Sequence, residues 1–233
     1  MQNSMNHITA VSICSETKEL IERAVDSFRR FHPAMKLIII DGSKPSDPCY
    51  SYVCSLASDI TTVGVYGYNI GHGRGMDVAI RMVKTKFALI FDSDVVFHKS
   101  PVEAMLNLMD DDTYGCGYLE KTGFDGFEYG SKAHHQKEGF MYMLHPYFHL
   151  LNVANYFKFH PYVHHGAPCF KAALDIHRRG LKIIKEFPGL GHSSGQGWVW
   201  TGEPREYIEH HPAGTRSIRR AKGLPEIESG WER

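Results

Sequence analysis

The strongest constraint on this chain is an alternation of two periodicities along its first half. Apolar, β-branched runs at Ile8–Cys14, Lys36–Ile40, Ile60–Tyr66, Phe87–Phe91 and Tyr114–Leu119 have strand character. Between them, Thr17–Phe31, Tyr50–Ala57, Gly75–Val83 and Pro101–Met109 read as helices. Leu20, Ile21, Ala24, Val25 and Phe28 form one face of the first helix, and His32-Pro33 ends it, because the residue before proline avoids the helical region. Met76, Ala79, Ile80 and Val83 share a face of the third, and Pro101 fits the first turn of the fourth. Strand and helix in strict turn predict an α/β fold with a mostly parallel sheet and helices on both faces. Such sheets bind ligands beyond the carboxyl ends of their strands. The polar residues expected there are Ser12, Ser15, Asp41, Asn69, Asp92 and Asp94.

Composition narrows the class. Lys plus Arg and Asp plus Glu are 26 each in 233 residues, so the formal charge is zero, which excludes a binder that relies on bulk phosphate attraction. The 42% of hydrophobic residues suffices for a substantial core. No run reaches the ~20 apolar residues of a membrane helix. Cys14, Cys49, Cys54, Cys116 and Cys169 form no CxxC pair and read as reduced thiols, and Met1–His7 is polar with no signal-like apolar stretch. The expectation is a cytoplasmic α/β enzyme of one domain, 1–233. A ligand-binding half would span 7–120, a second half 121–216, and a charged tail 217–233.

The alternation breaks at Lys121. The stretch to His165 is rich in Gly, His, Tyr and Phe, and is expected to be an irregular or helical lobe over the crevice. Seven histidines fall in it: His134, His135, His145, His149, His160, His164 and His165. His145 and His149 are spaced to share a helix face, but Pro146 and the absence of a glutamate between them argue against a zinc-protease site. Tyr142, Tyr147, Phe148, Tyr156, Phe157, Phe159 and Tyr162 suit either the core of this lobe or stacking on a ligand, as do Trp198 and Trp200. Phe170–Arg179 is again helical, capped by Gly180, and Leu181–Ile184 is strand-like.

The chemistry concentrates in Phe87-Ala-Leu-Ile-Phe-Asp92-Ser-Asp94. A buried strand delivers two carboxylates to the sheet edge, an arrangement suited to a hard divalent cation that bridges to substrate phosphates.

Three segments in order resemble the nucleotide-sugar-dependent glycosyltransferases of the GT-A fold, family 2-like. They are Ile38-Ile39-Ile40-Asp41-Gly42-Ser43, Asn69-Ile-Gly71-His72-Gly73-Arg74-Gly75 and Asp92-Ser93-Asp94, and they cover residues 7–120. The resemblance implies a Rossmann-like GT-A sheet with an acceptor lobe rich in histidine and aromatics. It implies a nucleotide-diphosphate sugar donor, Mn2+ or Mg2+ as cofactor, and a hydroxyl acceptor on a glycan, lipid-linked sugar, protein or modified nucleobase. Asp41 would bind the nucleoside. The Asn69–Arg74 segment would close over the nucleotide, with Arg74 near base or diphosphate. Asp92 and Ser93 would face the ribose or the metal, and Asp94 would ligate it; Ser12 belongs to the same nucleotide-binding set. The family's late histidine ligand has candidates in His192 and in His210 or His211, and Arg216 would bind diphosphate.

The catalytic base is open. The family's Glu-Asp pair has no counterpart in Gly166-Ala-Pro-Cys169-Phe170, which leaves Asp125, Glu128 or His165. Two other readings of the sequence stand beside transfer. Phe91-Asp92-Ser-Asp94-Val95-Val96 also fits a haloacid-dehalogenase-like phosphatase with Asp92 as nucleophile, although that motif usually ends a first strand. A nucleotide- or glycan-binding module without turnover is the third.

Overall fold

Strand β1 (Ile8–Cys14) lies at the heart of the computed structural model, flanked on both sides by parallel neighbours. Val11 is level with Ile38 of β2 (Lys36–Asp41) and with Ile90 of β4 (Phe87–Asp92). The structure describes residues 6–127, 129, 139–163, 167–188, 190, 206–210, 218, 221 and 223. β3 (Thr61–Val65) pairs parallel with β2 at the edge. Beyond β4 come β7 (Phe140–Asn152), β6 (Gly115–Gly123) and β8 (Ile184–Glu186), giving the order β3-β2-β1-β4-β7-β6-β8. β7 is antiparallel to β4 and β6, so it alone runs against the other strands of this sheet.

The strands alternate between two apolar layers. Ala10, Leu37, Ile39, Leu89 and Phe91 meet helix α1 (Lys18–Phe31), where Phe28 stacks on Phe91 with ring centroids 5.3 Å apart. Full burial of a ring such as Phe28 stabilises by about 1.5–3 kcal/mol. Val11, Ile38, Ile40 and Ile90 face Met76, Ala79 and Ile80 of a second helix, His72–Met82, and Phe170, Ala172, Ala173 and Ile176 of a third, Phe170–Arg178. In chain order the helices are α1, α2 (Pro48–Ser55), α3 (His72–Met82), α4 (Val102–Leu106), α5 (Val153–Tyr156) and α6 (Phe170–Arg178). Asp47 caps α2 by accepting a hydrogen bond from the Cys49 N–H. Among the described residues no helix is long and apolar enough to cross a membrane.

The first half matches the expected order of elements, with shifted ends and one added short strand, β5 (Val95–Phe97). α3 begins at His72 rather than Gly75, entered through Gly71 at φ +85, a backbone that favours glycine. The stretch expected to be irregular or helical differs more. It contains β7, the longest strand, in the middle of the sheet. Its second half is buried on both faces, so period-two alternation is lost there. It also bulges: Leu144 pairs with Leu119 but His149 pairs with Gly117, so His145–Phe148 face Tyr118 alone. Pro146, which has no N–H to give a ladder, sits in this bulge. His145 and His149 therefore lie on a bulged strand, not on a helix face. A two-stranded ladder joins β5 (Val95–Phe97) to β9 (Ile208–His210). Trp198, Trp200, His134, His135, His164 and nearly all of the 217–233 tail fall outside the described residues.

Candidate active site

β4 ends at Asp92, and the chain turns through Ser93 and Asp94 into β5. The antiparallel ladder then sets His210 directly opposite Val95, beside Asp94. One ligand atom from each of Asp92, Asp94 and His210 lies within 4.8 Å of the others. His210 Nε2 is 3.4 Å from Asp94 Oδ1, and both side chains are almost fully buried. That Asp94 oxygen has no hydrogen-bond partner. A buried carboxylate oxygen without a donor is costly, and it is the group a cation would satisfy. Two carboxylates and an imidazole suit Mn2+ or Mg2+ through their oxygens, with the nitrogen favouring the transition ion. The residues therefore fit the metal the motif implied.

Neighbours orient these groups. The His210 ring stacks on the fully buried Tyr147 ring at 4.4 Å and 13°, and the bulge in β7 brings Tyr147 there. His72, the first residue of α3, puts Nε2 2.9 Å from Asp92 Oδ1. Burial disfavours the charge on each of this pair, yet each holds the other charged. His72 is raised above the ordinary imidazole range and Asp92 is held below the ordinary carboxylate range. Beneath them His149 is buried, with Nδ1 3.1 Å from the His145 carbonyl and Nε2 3.4 Å from the Tyr162 hydroxyl. Burial pushes His149 down to about 4.

The nucleoside-side residues are more deeply set than expected. Asp41 is fully buried at the end of β2. Its Oδ1 accepts from the Ser43 N–H at 3.0 Å and the Ser43 hydroxyl at 2.5 Å, and Oδ2 has no hydrogen-bond partner. Burial raises the Asp41 pKa, and the Ser43 hydrogen bonds oppose the rise. The next residue lies under the 68–70 loop: a Cβ on Gly42 would come within 3.0 Å of Asn69 Cα and 3.1 Å of the Tyr68 carbonyl. Asn69 is exposed, and its side chain accepts from the Gly71 N–H at 2.9 Å, shaping the turn into α3. Arg74 is exposed in the first turn of α3. Ser12 lies inside β1, not at its end, and is fully buried with no partner for its hydroxyl. Ser93 is buried in the turn.

The structure thus brings together Asp92, Asp94 and His210 from the residues singled out in the sequence. Asp125 is exposed in the turn after β6, where it accepts from the Phe127 N–H at 3.1 Å. Glu128, His165, His192, His211 and Arg216 lie outside the described residues. Cys169, at the N-cap of α6, occupies the place where the resemblance implied a carboxylate pair, and burial raises its thiol pKa. Sequence reasoning gave His72 no role of its own, and it named Tyr147 only as lobe core or a stacking ring, not as the support of His210. The signal for His72 was available, since it stands inside the Gly71–Gly75 segment; Tyr147 had none beyond aromatic content.

With the geometry in hand, the comparisons become informative. A family model described as glycosyl transferase family 2 matches residues 9–176. The chain belongs to glycosyl transferase family 2. Among solved structures it is similar to a mannosyltransferase from Pyrobaculum calidifontis in complex with GDP-Man and Mn2+, with 12% identity and TM-score 0.55. That match covers 79% of this chain and 57% of the mannosyltransferase. S. aureus TarS 1-349 in complex with UDP-GlcNAc matches with 14% identity and TM-score 0.52, over 77% of this chain and 55% of TarS. GalNAc-T7 with UDP, GalNAc and Mn2+ matches with 11% identity and TM-score 0.55, over 72% of this chain and 40% of GalNAc-T7. The chain thus spans little more than half the length of these relatives or less. At such identities the likeness establishes the fold, which is the GT-A arrangement of a mostly parallel sheet with helices on both faces. No curated protein sequence matches the chain.

Proposed function

We propose that this family 2 protein transfers a sugar from a nucleotide-diphosphate sugar to an acceptor hydroxyl, with Mn2+ or Mg2+ held by Asp92, Asp94 and His210. The observation that carries this reading is the convergence of those three side chains, with a buried Asp94 oxygen that lacks a donor. The solved relatives bound to GDP-Man and Mn2+, or to UDP-GlcNAc, support it. A bound divalent ion supplies electrostatic stabilisation of the departing diphosphate.

The chain's own residues have separate tasks. His72 donates to Asp92 and fixes that carboxylate. Tyr147 holds the His210 ring by stacking. Arg74, exposed in the first turn of α3, offers a planar cation to the base or diphosphate. Asp41 serves the nucleoside through the corner it shares with Ser43. That role requires the 68–70 loop to open, because Asp41 is closed off in this structure. Residues 7–120 form the donor half, 121–216 the acceptor half and 217–233 a tail. Ser12, Ser93 and Arg216 complete the proposed donor set, and Asp125, Glu128 and His165 are candidates for the base. The acceptor is a glycan, lipid-linked sugar, protein or modified nucleobase.

A thermal-shift panel of nucleotide-diphosphate sugars, with and without Mn2+, tests the reading. One donor should raise the melting temperature in the presence of metal, and Asp94→Ala should erase the increment. Hydrolysis of simple phosphate esters with no response to any nucleotide sugar would favour the phosphatase alternative instead. Membership of glycosyl transferase family 2 weighs against that outcome.

A further inference from the structure

The β6–β7 hairpin reaches past the rest of the sheet on the ligand side. Gly117 of β6 and Ile90 of β4 are both level with His149 of β7, and β6 runs parallel to β4. β4 ends at Asp92, two positions after Ile90, whereas β6 continues six positions after Gly117 to Gly123. At ~3.3 Å per residue, the arm overhangs the strand end that carries Asp92 by roughly 13 Å. It stands two strand spacings, about 10 Å, to the side of β4.

The two faces of this arm differ. Met141 and Met143 are buried in the core layer that includes Ile176 of α6. The alternate positions, Phe140 and Tyr142, are 37% and 50% exposed. Lys121 is paired with Tyr142 across the ladder, so it shares their face. The Phe140 and Tyr142 rings meet edge to face at 5.7 Å, and the Tyr129 ring is 4.9 Å from Phe140. Lys121 Nζ lies 3.9 Å from the Phe140 centroid and 4.5 Å from that of Tyr129. Adjacent exposed aromatics gathered around one cation mark a contact surface.

We infer that this face is an acceptor subsite for an oligosaccharide. The inference rests on the sugar-transfer reading and narrows its acceptor to a glycan. A sugar ring has an apolar C–H face and a rim of hydroxyls. An exposed aromatic ring covers the first, while tyrosine hydroxyls and a lysine ammonium hydrogen-bond the second. Rings also lead from the arm to the candidate metal site. Tyr118 and His145 are half-buried with centroids 6.0 Å apart, His145 is 4.9 Å from Tyr147, and Tyr147 stacks on His210 at 4.4 Å. A chain resting on Phe140 and Tyr142 would present its end toward Asp92 and His210. The offsets between arm and strand end call for an oligomer, since one sugar cannot touch both.

A lipid surface is the competing occupant for aromatics on a projecting hairpin. Charge weighs against it. Anionic bilayers attract clusters of lysine and arginine, and among the described residues Lys121 is the only cation over these rings.

Binding of the full chain to immobilised oligosaccharides tests this, with di- to octasaccharides of glucose, mannose, galactose and N-acetylglucosamine as probes. At least one series should bind without donor, more tightly as its length increases. Phe140→Ser combined with Tyr142→Ser should weaken that binding by about 10-fold or more, as for loss of aromatic anchors elsewhere. Tyr142→Trp should retain it. Both side chains are exposed, so circular dichroism and melting temperature should match the wild type. In transfer assays the double variant should raise KM for the oligosaccharide by the same factor and leave the donor-induced thermal shift unchanged. Wild type that responds to a donor yet binds no oligosaccharide would overturn the inference. So would full binding by the double variant, or a variant that loses only its binding to phosphatidylcholine–phosphatidylserine vesicles. Oligosaccharide binding with no response to any nucleotide sugar would instead sink the transfer reading and leave the glycan-binding face standing.

Discussion

His210 Nε2 lies 3.4 Å from Asp94 Oδ1, although one residue stands near the middle of the chain and the other near its end. The contact depends on three backbone pairings between β5 and β9, which bring His210 opposite Val95. The proposed metal site is thus completed by the last described strand.

Asp94→Ala and His210→Ala should each remove a ligand from the proposed metal site. Mn2+-dependent binding of the donor should fall by at least ~100-fold, the loss expected when a main electrostatic contact is removed. Isothermal titration of donor with and without Mn2+ reads this directly. Binding that responds to Mn2+ as in the wild type would place the metal elsewhere.

The supporting contacts should matter less than the ligands but measurably. His72→Leu frees Asp92 from its 2.9 Å partner, and Tyr147→Leu removes the ring stacked on His210. Each should weaken metal affinity by about 10–100-fold, the usual cost of losing an orienting contact. Circular dichroism controls for folding, and His72→Gln should recover part of the affinity by restoring a donor.

Acid should destabilise the fold through two buried histidines. His32 is fully buried, with both ring nitrogens lacking hydrogen-bond partners, and His149 is fully buried too. Burial lowers each to about 4, with Arg29 adding to the effect at His32. In the unfolded chain both titrate near ~6.5. The unfolded state therefore binds more protons as pH falls from about 6.5 to 4, and stability present above that window is lost within it. Each histidine should contribute roughly 1–3 kcal/mol to the decline. Urea midpoints across pH 4–7 check it, and His32→Leu should flatten the slope without loss of stability at pH 7.

Gly117→Ala should unfold the region around the bulge in β7. A Cβ there would meet His149 Cβ at 2.7 Å and the Phe148 carbonyl at 2.8 Å, and the latter is backbone that cannot swing aside. The expected loss is about 1–3 kcal/mol, as for other overpacked sites. A midpoint unchanged in urea would show that the β6–β7 pairing is looser than described.

The first half was legible because its information is local. Its central strands β1, β2 and β4 lie in apolar runs, and α1 and α3 repeat their apolar residues at helical spacing, so Ile8–Cys14 or Lys18–Phe31 can be read without knowing what they pack against. β7 was not legible in this way. Its burial on both faces and its Pro146 bulge erase the alternation that would announce a strand, and its place between β4 and β6 depends on pairing with distant segments.

The same division runs through the candidate site. Local chain chemistry was enough to put Asp92 and Asp94 at the end of a buried strand, because strand ends and turn residues are dictated within a few positions. It left His192, His210 and His211 open, and it did not join His210 to Asp94. The contact between His210 and Asp94 belongs to ladder register, since contact between remote residues depends on which segments pair and on the side-chain faces that pairing presents.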